Sequence, residues 1–395
     1  MYKIKPVIIS LILVMLLTSC TQERKINSIP ADSKSIINPL TPNLGISPSS
    51  LPQIVTDKDI NLELGSVESI YGFSGKDISD KDFSQLSLEK ISQISFDKNT
   101  KWGKAKLPKG YSPSTWLEAA KDPGLELRKL NKEGYTGKGV SVAVVDKPIL
   151  KGNKEFDEHN FIYTELGNNN NVHFHGISCA SILSGKNCGV APEAKLYYFA
   201  VPNDGNNFEN YTNVIDKIIE LNQKLEAKEK IRIVSISDGL YEDDSRRVEW
   251  EKTVLKASDN GIMVIYSNNI GEQFTWGGCP PYKDKNNPSD YEISKAFKDT
   301  ELNDKSKIII PSDFRTTANN QSYEGYTYYG QGGWSWAIAY FAGLCTLGLQ
   351  VNSNLTYDQL LRTLDNTKSR TSDGYYVVNP KEYLKALEKL SINSL

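Results

Sequence analysis

"GVSVAVVD", Gly139 to Asp146, decides how the rest of the chain is read. Its apolar residues run on without alternation and end in a carboxylate. A half-buried strand alternates, whereas an unbroken run marks a strand covered on both faces. "KLYYFAV" (195–201), "IRIVSIS" (231–237) and "IMVIYS" (262–267) repeat the pattern. Helical patterns lie between them. "HGISCASILSG" (175–185) is compact and closed by glycine. "NVIDKIIELNQKL" (213–225) sets Val214, Ile215, Ile218, Ile219 and Leu225 at helical spacing. "RRVEWEKTVLKASDNG" (246–261) closes on Asn-Gly. Alternating strands and helices predict an α/β fold, a parallel β-sheet flanked by helices on both faces. Such sheets carry their chemistry at the carboxyl ends of the strands. Asp146, Ser237 and Asn269 stand there.

Composition narrows the classes of function. The chain has 395 residues, 39% of them hydrophobic, enough for a large core. With 46 basic against 48 acidic residues the net charge is −2. That balance offers nothing to nucleic acid, and no nucleic-acid partner is expected. Charge runs such as "YEDDSRR" (241–247) read as solvated loops. No internal repeat is evident.

The beginning of the chain reads as an export signal. Lys3 and Lys5 precede the apolar run "VIISLILVMLL" (7–17), which is short for a membrane span. It leads into "LTSC", Leu17 to Cys20, which resembles the lipobox of bacterial lipoproteins. The resemblance implies a signal peptide over 1–19 and a diacylated Cys20 as mature N-terminus. Two acyl chains suffice for stable anchoring. The chain is then expected on the extracytoplasmic face of a bacterial membrane, held by that lipid. No later segment reads as a span. Residues 20–56, rich in Ser, Asn and Pro, read as a flexible tether. Residues 57–128 are an N-terminal segment or pro-segment that the sequence leaves undecided. "KLPKGYSPSTWLEAAKDPG" (106–124) within them has a Ser or Thr cap and a short helix pattern. Residues 129–395 form the main domain.

The chemistry turns on "GGWSWAIAYFAGL", Gly332 to Leu344. Ser335 stands where a long apolar helix begins. It is either an N-cap or a nucleophile whose oxyanion would meet the free helix amides. A nucleophile needs a base and the base an orienting group. His159, His173 and His175 are the only histidines, and all precede Ser335. That excludes the Ser–acid–His order of the α/β-hydrolases. The parallel-sheet pattern opposes a chymotrypsin-like β-barrel. An Asp–His–Ser order remains, with Asp146, His175 and Ser335.

At this point the sequence resembles the subtilisin-like serine proteases, the subtilases. "GYTGKGVSVAVVD" (134–146) resembles their aspartate block, and "HGISCASILSG" with the strand after it their histidine block. "GIMVIYSNNIG" (261–271) resembles the oxyanion-asparagine block, and "GGWSWAIAYFAGL" the serine block. The order and spacing suit a full domain without large insertions. The resemblance implies a subtilisin-like fold with an N-terminal extension. It also implies a serine endopeptidase with catalytic Asp146, His175 and Ser335 and oxyanion donor Asn269. The substrate implied is a protein or peptide, paired along "SISDG" (235–239) through Ser237, Asp238 and Gly239.

The blocks depart from the family pattern. Lys147 and Pro148 follow the aspartate where Thr or Ser and Gly are usual, and Ile177 and Ser178 follow His-Gly. Asn268 replaces a glycine. Trp334, Trp336 and Ala339 replace Thr, Met and Pro around the serine. The chain is thus a diverged member. Its alternative is a catalytically silent surface lipoprotein with a binding or regulatory role on the same scaffold.

Each residue also has an ordinary reading. Asp146 can simply end a strand, Asn269 can be a turn residue, and Asp238 can point to solvent or select a basic residue. His173 with His175 makes H-x-H, but no carboxylate or cysteine cluster accompanies it in sequence, so no metal is expected. Calcium is common in subtilases, and no loop here announces a site; no cofactor is required. Cys179 and Cys345 read as small buried residues, and a Cys188–Cys279 disulfide stays open. "FTWGGCPPYKDKNNPSDYE" (274–292) reads as a loop-rich segment with an aromatic tip beside the cleft. "TYDQLLRTL" (356–364) opens with a capping box, Thr356 with Gln359. A monomer is expected.

Overall fold

The computed structural model describes residues 72–167, 172–202, 207–240, 244–298 and 303–392. The signal peptide, Cys20, the tether and the start of the N-terminal segment lie outside the described residues.

Three short helices and one strand come first: α1 (Leu88–Ile91), β1 (Phe96–Asp97), α2 (Pro113–Ala119) and α3 (Leu127–Lys132). Then β2 (Ser141–Asp146), β3 (Phe161–Glu165), α4 (Phe174–Ser184), β4 (Lys195–Ala200), α5 (Asn207–Asn222), β5 (Ile231–Ser235), α6 (Arg247–Asp259) and β6 (Met263–Ile265) follow. The five strands β2 to β6 form one all-parallel sheet in the order β3-β4-β2-β5-β6. Its central strand, β2, lies within Gly139–Asp146, and all six of its residues are buried.

The unbroken apolar run is explained by the two cores it serves. Val142 and Val144 of β2, with Leu196 and Tyr198 of β4, pack into a core that includes Ile177, Ile182 and Ile338. Ala143 and Val145, with Tyr197 and Phe199, pack into a second core with Val214, Ile218 and Trp250 from α5 and α6. Successive side chains of a strand point to opposite faces. An apolar residue at every position therefore means helices on both faces, as predicted.

Past this sheet the chain is less regular. The next elements are α7 (Ser267–Ile270), β7 (Phe274–Gly278), β8 (Glu292–Ile293), α8 (Lys295–Lys298), β9 (Ile308–Pro311), β10 (Arg315–Ala318), β11 (Tyr326–Tyr329), α9 (Gly333–Val351), α10 (Tyr357–Thr367), β12 (Ser369–Arg370), β13 (Tyr376–Val377) and α11 (Pro380–Ile392). A mixed sheet runs β12-β13-β9-β7-β8 and an antiparallel one β1-β11-β10. The segment from Phe274 is thus not loop throughout: β7 is a buried strand parallel to β9. The capping box at Thr356 forms as expected, with Gln359 closing it.

Against the expectation that no later segment reads as a span, α9 is long and apolar enough to cross a membrane by length and composition. Here it is a core helix, buried at every position from Trp336 to Leu349. It packs mainly against α4, α11, β5, β7 and β9.

The N-terminal segment from residue 72 is packed into the domain. Phe73, Phe83, Phe96, Tyr111 and Trp116 share a buried cluster with Phe314 and Tyr328 of the domain. β1 extends β11 as an antiparallel partner, with Phe96 opposite Tyr328. The segment also holds a short repeat. Ile78 N–H donates to Lys101 O (3.0 Å) and Lys101 N–H to Lys76 O (2.9 Å). Five residues on, Phe83 N–H donates to Lys106 O (2.7 Å) and Lys106 N–H to Lys81 O (3.1 Å). "DIS" and "DFS" are its copies, each Asp accepting from the Ser two residues on. Two copies of a five-residue unit fall below the periods at which repeats announce themselves. In the helix 113–119, Ser112 is the N-cap but bonds Thr115 Oγ1 (2.8 Å), leaving the backbone uncapped.

Candidate active site

Asp146 is the last residue of β2, the sheet's central strand, and is 5% exposed. His175 is the second residue of α4. The two meet across the carboxyl edge of the sheet. His175 Nδ1 lies 2.8 Å from Asp146 Oδ2 and 2.9 Å from Oδ1. Lys147 N–H also donates to Oδ1, at 2.8 Å. Burial pushes the Asp146 carboxyl up, but the charge and hydrogen bond of His175 and the Lys147 N–H outweigh it. The net position is below the ordinary carboxylate value. Burial pulls His175 down, while Asp146 and Cys179 raise it. The result lies well above the ordinary imidazole value.

Glycine after the histidine has a steric cause. A Cβ on Gly176 would lie 1.9 Å from Tyr198 Oη and 2.8 Å from Lys147 O. Tyr198 donates to that same carbonyl at 2.5 Å. The start of α4 is thereby pressed onto β4 and the segment that follows Asp146. His173 is the N-cap of α4, its Nδ1 accepting from His175 N–H at 3.3 Å. Burial, then the charges of Lys147 and His175, lower its pKa to about 4, so it is neutral at pH 7. This is the use of the second histidine in H-x-H.

Ser335 is the third residue of α9, and the N-cap position belongs to Gly332. Its hydroxyl is turned to the base: Ser335 Oγ lies 2.8 Å from His175 Nε2. Its N–H is among the first four of the helix, which have no partner inside it. Trp336 packs edge-on against the His175 ring at 5.8 Å, and Trp334 against Trp276 at 4.9 Å. The two tryptophans wedge the serine between fixed neighbours. Ser237 Oγ donates to Ser335 O at 3.0 Å, tying the end of β5 to the same turn.

The asparagines are both hydrogen-bonded nearby. Asn269 Oδ1 accepts from Tyr266 N–H (3.1 Å), and its Nδ2 donates to Val264 O (2.6 Å). Asn268 pairs with Leu240, donating to its carbonyl (2.7 Å) and accepting from its N–H (2.8 Å). Asp238 does not simply face solvent. Its Oδ2 accepts from Tyr211 Oη (3.0 Å) and Asn207 Nδ2 (3.3 Å) on α5, and its Oδ1 from Gly239 N–H (2.8 Å). Its backbone carbonyl accepts from Ser267 N–H and Oγ. The edge "SISDG" is therefore stitched to α7.

Several site residues escaped the sequence reading. Cys179, one helical turn past His175, brings its sulfur to 4.0 Å from Nδ1 and donates to Ser335 O at 3.8 Å. The i, i+4 spacing was the available signal. Asp146, His175 and Cys179 hold their ligand atoms within 4.8 Å of one another, a set that could take a soft metal ion. Such an ion would occupy the faces His175 and Asp146 present to each other. Asn320 fixes the approach to α4, donating to His173 O at 2.7 Å. All four described cysteines are free thiols and buried.

Residues 137–292 match the subtilase family. This segment belongs to that family. Asp146, His175 and Asn269 fall inside the match and Ser335 beyond it. No curated protein matches the chain. Solved structures similar to it include the prenylagaramide maturation protease PagA, 18% identical, TM-score 0.47, covering 66% of this chain and 98% of that one. MycP1 with its N-terminal propeptide removed is 16% identical, TM-score 0.46, covering 68% and 96%. Subtilase cytotoxin SubAB is 16% identical, TM-score 0.47, covering 71% and 98%.

Proposed function

We propose that this subtilase is an active serine endopeptidase, lipid-anchored through Cys20 on the extracytoplasmic face of a bacterial membrane, and that it cuts protein or peptide substrates. The observation that supports catalysis is the continuous chain of contacts from Asp146 through His175 to Ser335 Oγ. Ser335 Oγ attacks the peptide carbonyl while His175 Nε2 takes its proton. The same proton then goes to the leaving amine. Asp146 keeps the Nδ1 hydrogen toward itself and stabilises the imidazolium. In the second half, water attacks the acyl-enzyme and His175 again moves the proton.

The developing oxyanion is met by the Ser335 N–H, at the positive end of α9. Asn269 Nδ2 is the second donor we assign. It carries two hydrogens, and Val264 O takes one. Substrate adds as a strand along Ser237–Gly239, with the chain acting as a monomer and no cofactor. Labelling by a fluorophosphonate probe tests the reading, because the probe reacts with an activated serine and not with an ordinary hydroxyl. Ser335→Ala must abolish it.

A second reading, the silent scaffold with a binding role, draws on the inward hydrogen bonds of Asn269. If those bonds hold both hydrogens away from the cleft, one donor is lost. The probe separates the two readings.

Anchoring has its own test. Cys20→Ala should leave uncleaved precursor or release protein to the medium. Unchanged detergent partitioning with the same processed N-terminus would contradict it.

A further inference from the structure

The turn that delivers Ser335 is held from behind by two residues that the reaction itself does not use. Between β9 and β10 the chain bends through Ser312, Asp313 and Phe314, with Phe314 in the left-handed region at φ 59°. The turn is buried: Ser312 is 0% and Asp313 3% exposed. Both residues are aimed at the glycine pair before the nucleophile. Asp313 Oδ1 accepts from Gly332 N–H at 2.8 Å. The Gly333 amide also favours the ionised form of the same carboxylate. Ser312 Oγ donates to Gly333 O at 2.7 Å. The fit leaves no slack, because a Cβ on Gly332 would lie 2.3 Å from Ser312 O and 2.5 Å from its Oγ. Gly333 sits at φ +71°, which a side chain would strain. Ser335 follows two residues later.

We propose that Asp313, with Ser312, is the positioning latch of the nucleophile: its ionised carboxylate fixes the Gly332–Gly333 turn and so holds Ser335 Oγ at His175. The proposal rests on the peptidase reading given above. Among the described residues, the groups that act on the carboxylate include Ser294 and Glu292 at the end of β8, Tyr328 on β11, and the Gly332 and Gly333 amides. No cation is among those that act on it most. Burial pushes the carboxyl up, Glu292 adds to this, and the amides and Ser294 pull it back, leaving it at about 6. The sign follows. The folded value lies above the ordinary 3.8, so the ionised form is disfavoured by folding. Keeping the charge at pH 8 lowers stability while it orders the turn. Strained, costly groups of this kind are retained where function needs them.

The test compares the parent with Asp313→Asn and Ser312→Ala, each also carried on Ser335→Ala. Turnover rate, Michaelis constant and melting temperature are measured from pH 5 to 9. Asp313→Asn should lower turnover at pH 8 about 10- to 100-fold, the scale of a small misplacement of a reacting group. The Michaelis constant should change only a few-fold, and the melting temperature should not fall. In the parent, the slope of log turnover against pH should steepen from one to two below pH of about 6. In Asp313→Asn it should stay at one. Ser312→Ala should show a smaller turnover loss and keep the steepening. Parental turnover in Asp313→Asn, or a melting temperature that falls in step with activity, would overturn the latch.

A second readout does not require activity. Trp334 adjoins the turn, so the fluorescence of Ser335→Ala should titrate with a midpoint near 6. The titration should vanish when Asp313→Asn is added. If the parent neither cleaves peptide nor takes the probe, the peptidase reading fails while this titration still decides the latch. Identical titrations in both backgrounds would refute it.

Discussion

Asp146 and His175 are placed by the parallel sheet and the helix packed on it; Asn269 lies in a four-residue helix, and Ser335 in the first turn of α9 behind a glycine pair. Asp146 ends the central strand of a five-stranded sheet, and His175 begins an eleven-residue helix packed across it. Their contacts are set by elements that the hydrophobic pattern builds. Asn269 lies in a four-residue helix, α7, and its side chain is bound back on Val264 and Tyr266. Ser335 depends on two glycines and on a buried turn just over twenty residues upstream. The proposed acid–base pair is thus held by the sheet and its helix, and the proposed oxyanion donors by short local contacts. The family match includes Asp146, His175 and Asn269 and ends before Ser335.

The largest effect that probes this contrast is at Asn269. Asn269→Ala should lower turnover about 10²- to 10³-fold, roughly 2.7–4 kcal/mol of transition-state stabilisation. The Michaelis constant should change little. Because the turn bonds are lost too, melting temperature falls as well. Asn269→Asp separates the two effects, since it keeps an acceptor for Tyr266 N–H and removes the donor. Asn268→Ala should affect the Leu240 edge and not turnover per bound substrate. If Asn269→Asp turns over like the parent, the oxyanion half has only the Ser335 amide.

Next in size is the pH dependence of the acid–base half. His175 must be neutral to take the proton, and its environment favours the charged form. A group raised in this way loses its proton only above the ordinary imidazole value. The ratio kcat/KM, which reports the free enzyme, should fall about tenfold per pH unit as pH drops through that raised midpoint. The midpoint should lie above 6.5. A midpoint below 6.5 would mean that Asp146 does not govern the imidazole.

The smallest effect sharpens the same half. Cys179 adds to the upward pull on His175 from 4.0 Å away. Cys179→Ala should therefore shift the midpoint down by a fraction of a unit, with turnover at pH 9 unchanged within a few-fold. The measurement is the same pH profile, and an upward shift would reverse the sign assigned to the thiol.

The same division explains what could be read from sequence. β2, β4 and β5 were legible because strands buried on both faces leave unbroken apolar runs. α5 and α6 were legible by spacing and by the Asn-Gly ending. Asp146, His175 and Ser335 followed from residue order and resemblance, and the structure brings the three together. β7 was hidden because its two glycines imitate a loop. They sit there for another reason: a Cβ on Gly277 would lie 2.1 Å from Glu292 O. Cys179, Ser312 and Asp313 carry no motif. Their roles come from distance in space, 21 residues for Ser312 and Gly333, which a one-dimensional pattern does not register. The N-terminal segment was undecided for a related cause. Its aromatic residues find their partners, Phe314 and Tyr328, more than two hundred residues away.

The most direct measurement of the central claim is reaction of the purified protein with a fluorophosphonate probe at pH 8, the parent beside His175→Ala and Ser335→Ala. The account predicts one labelled serine per molecule in the parent, located at Ser335. Both variants should show no labelling, and their peptide turnover should be about 10⁶-fold down. All three proteins should melt at comparable temperatures. A folded parent that takes no probe, or one that His175→Ala leaves equally reactive, would contradict it.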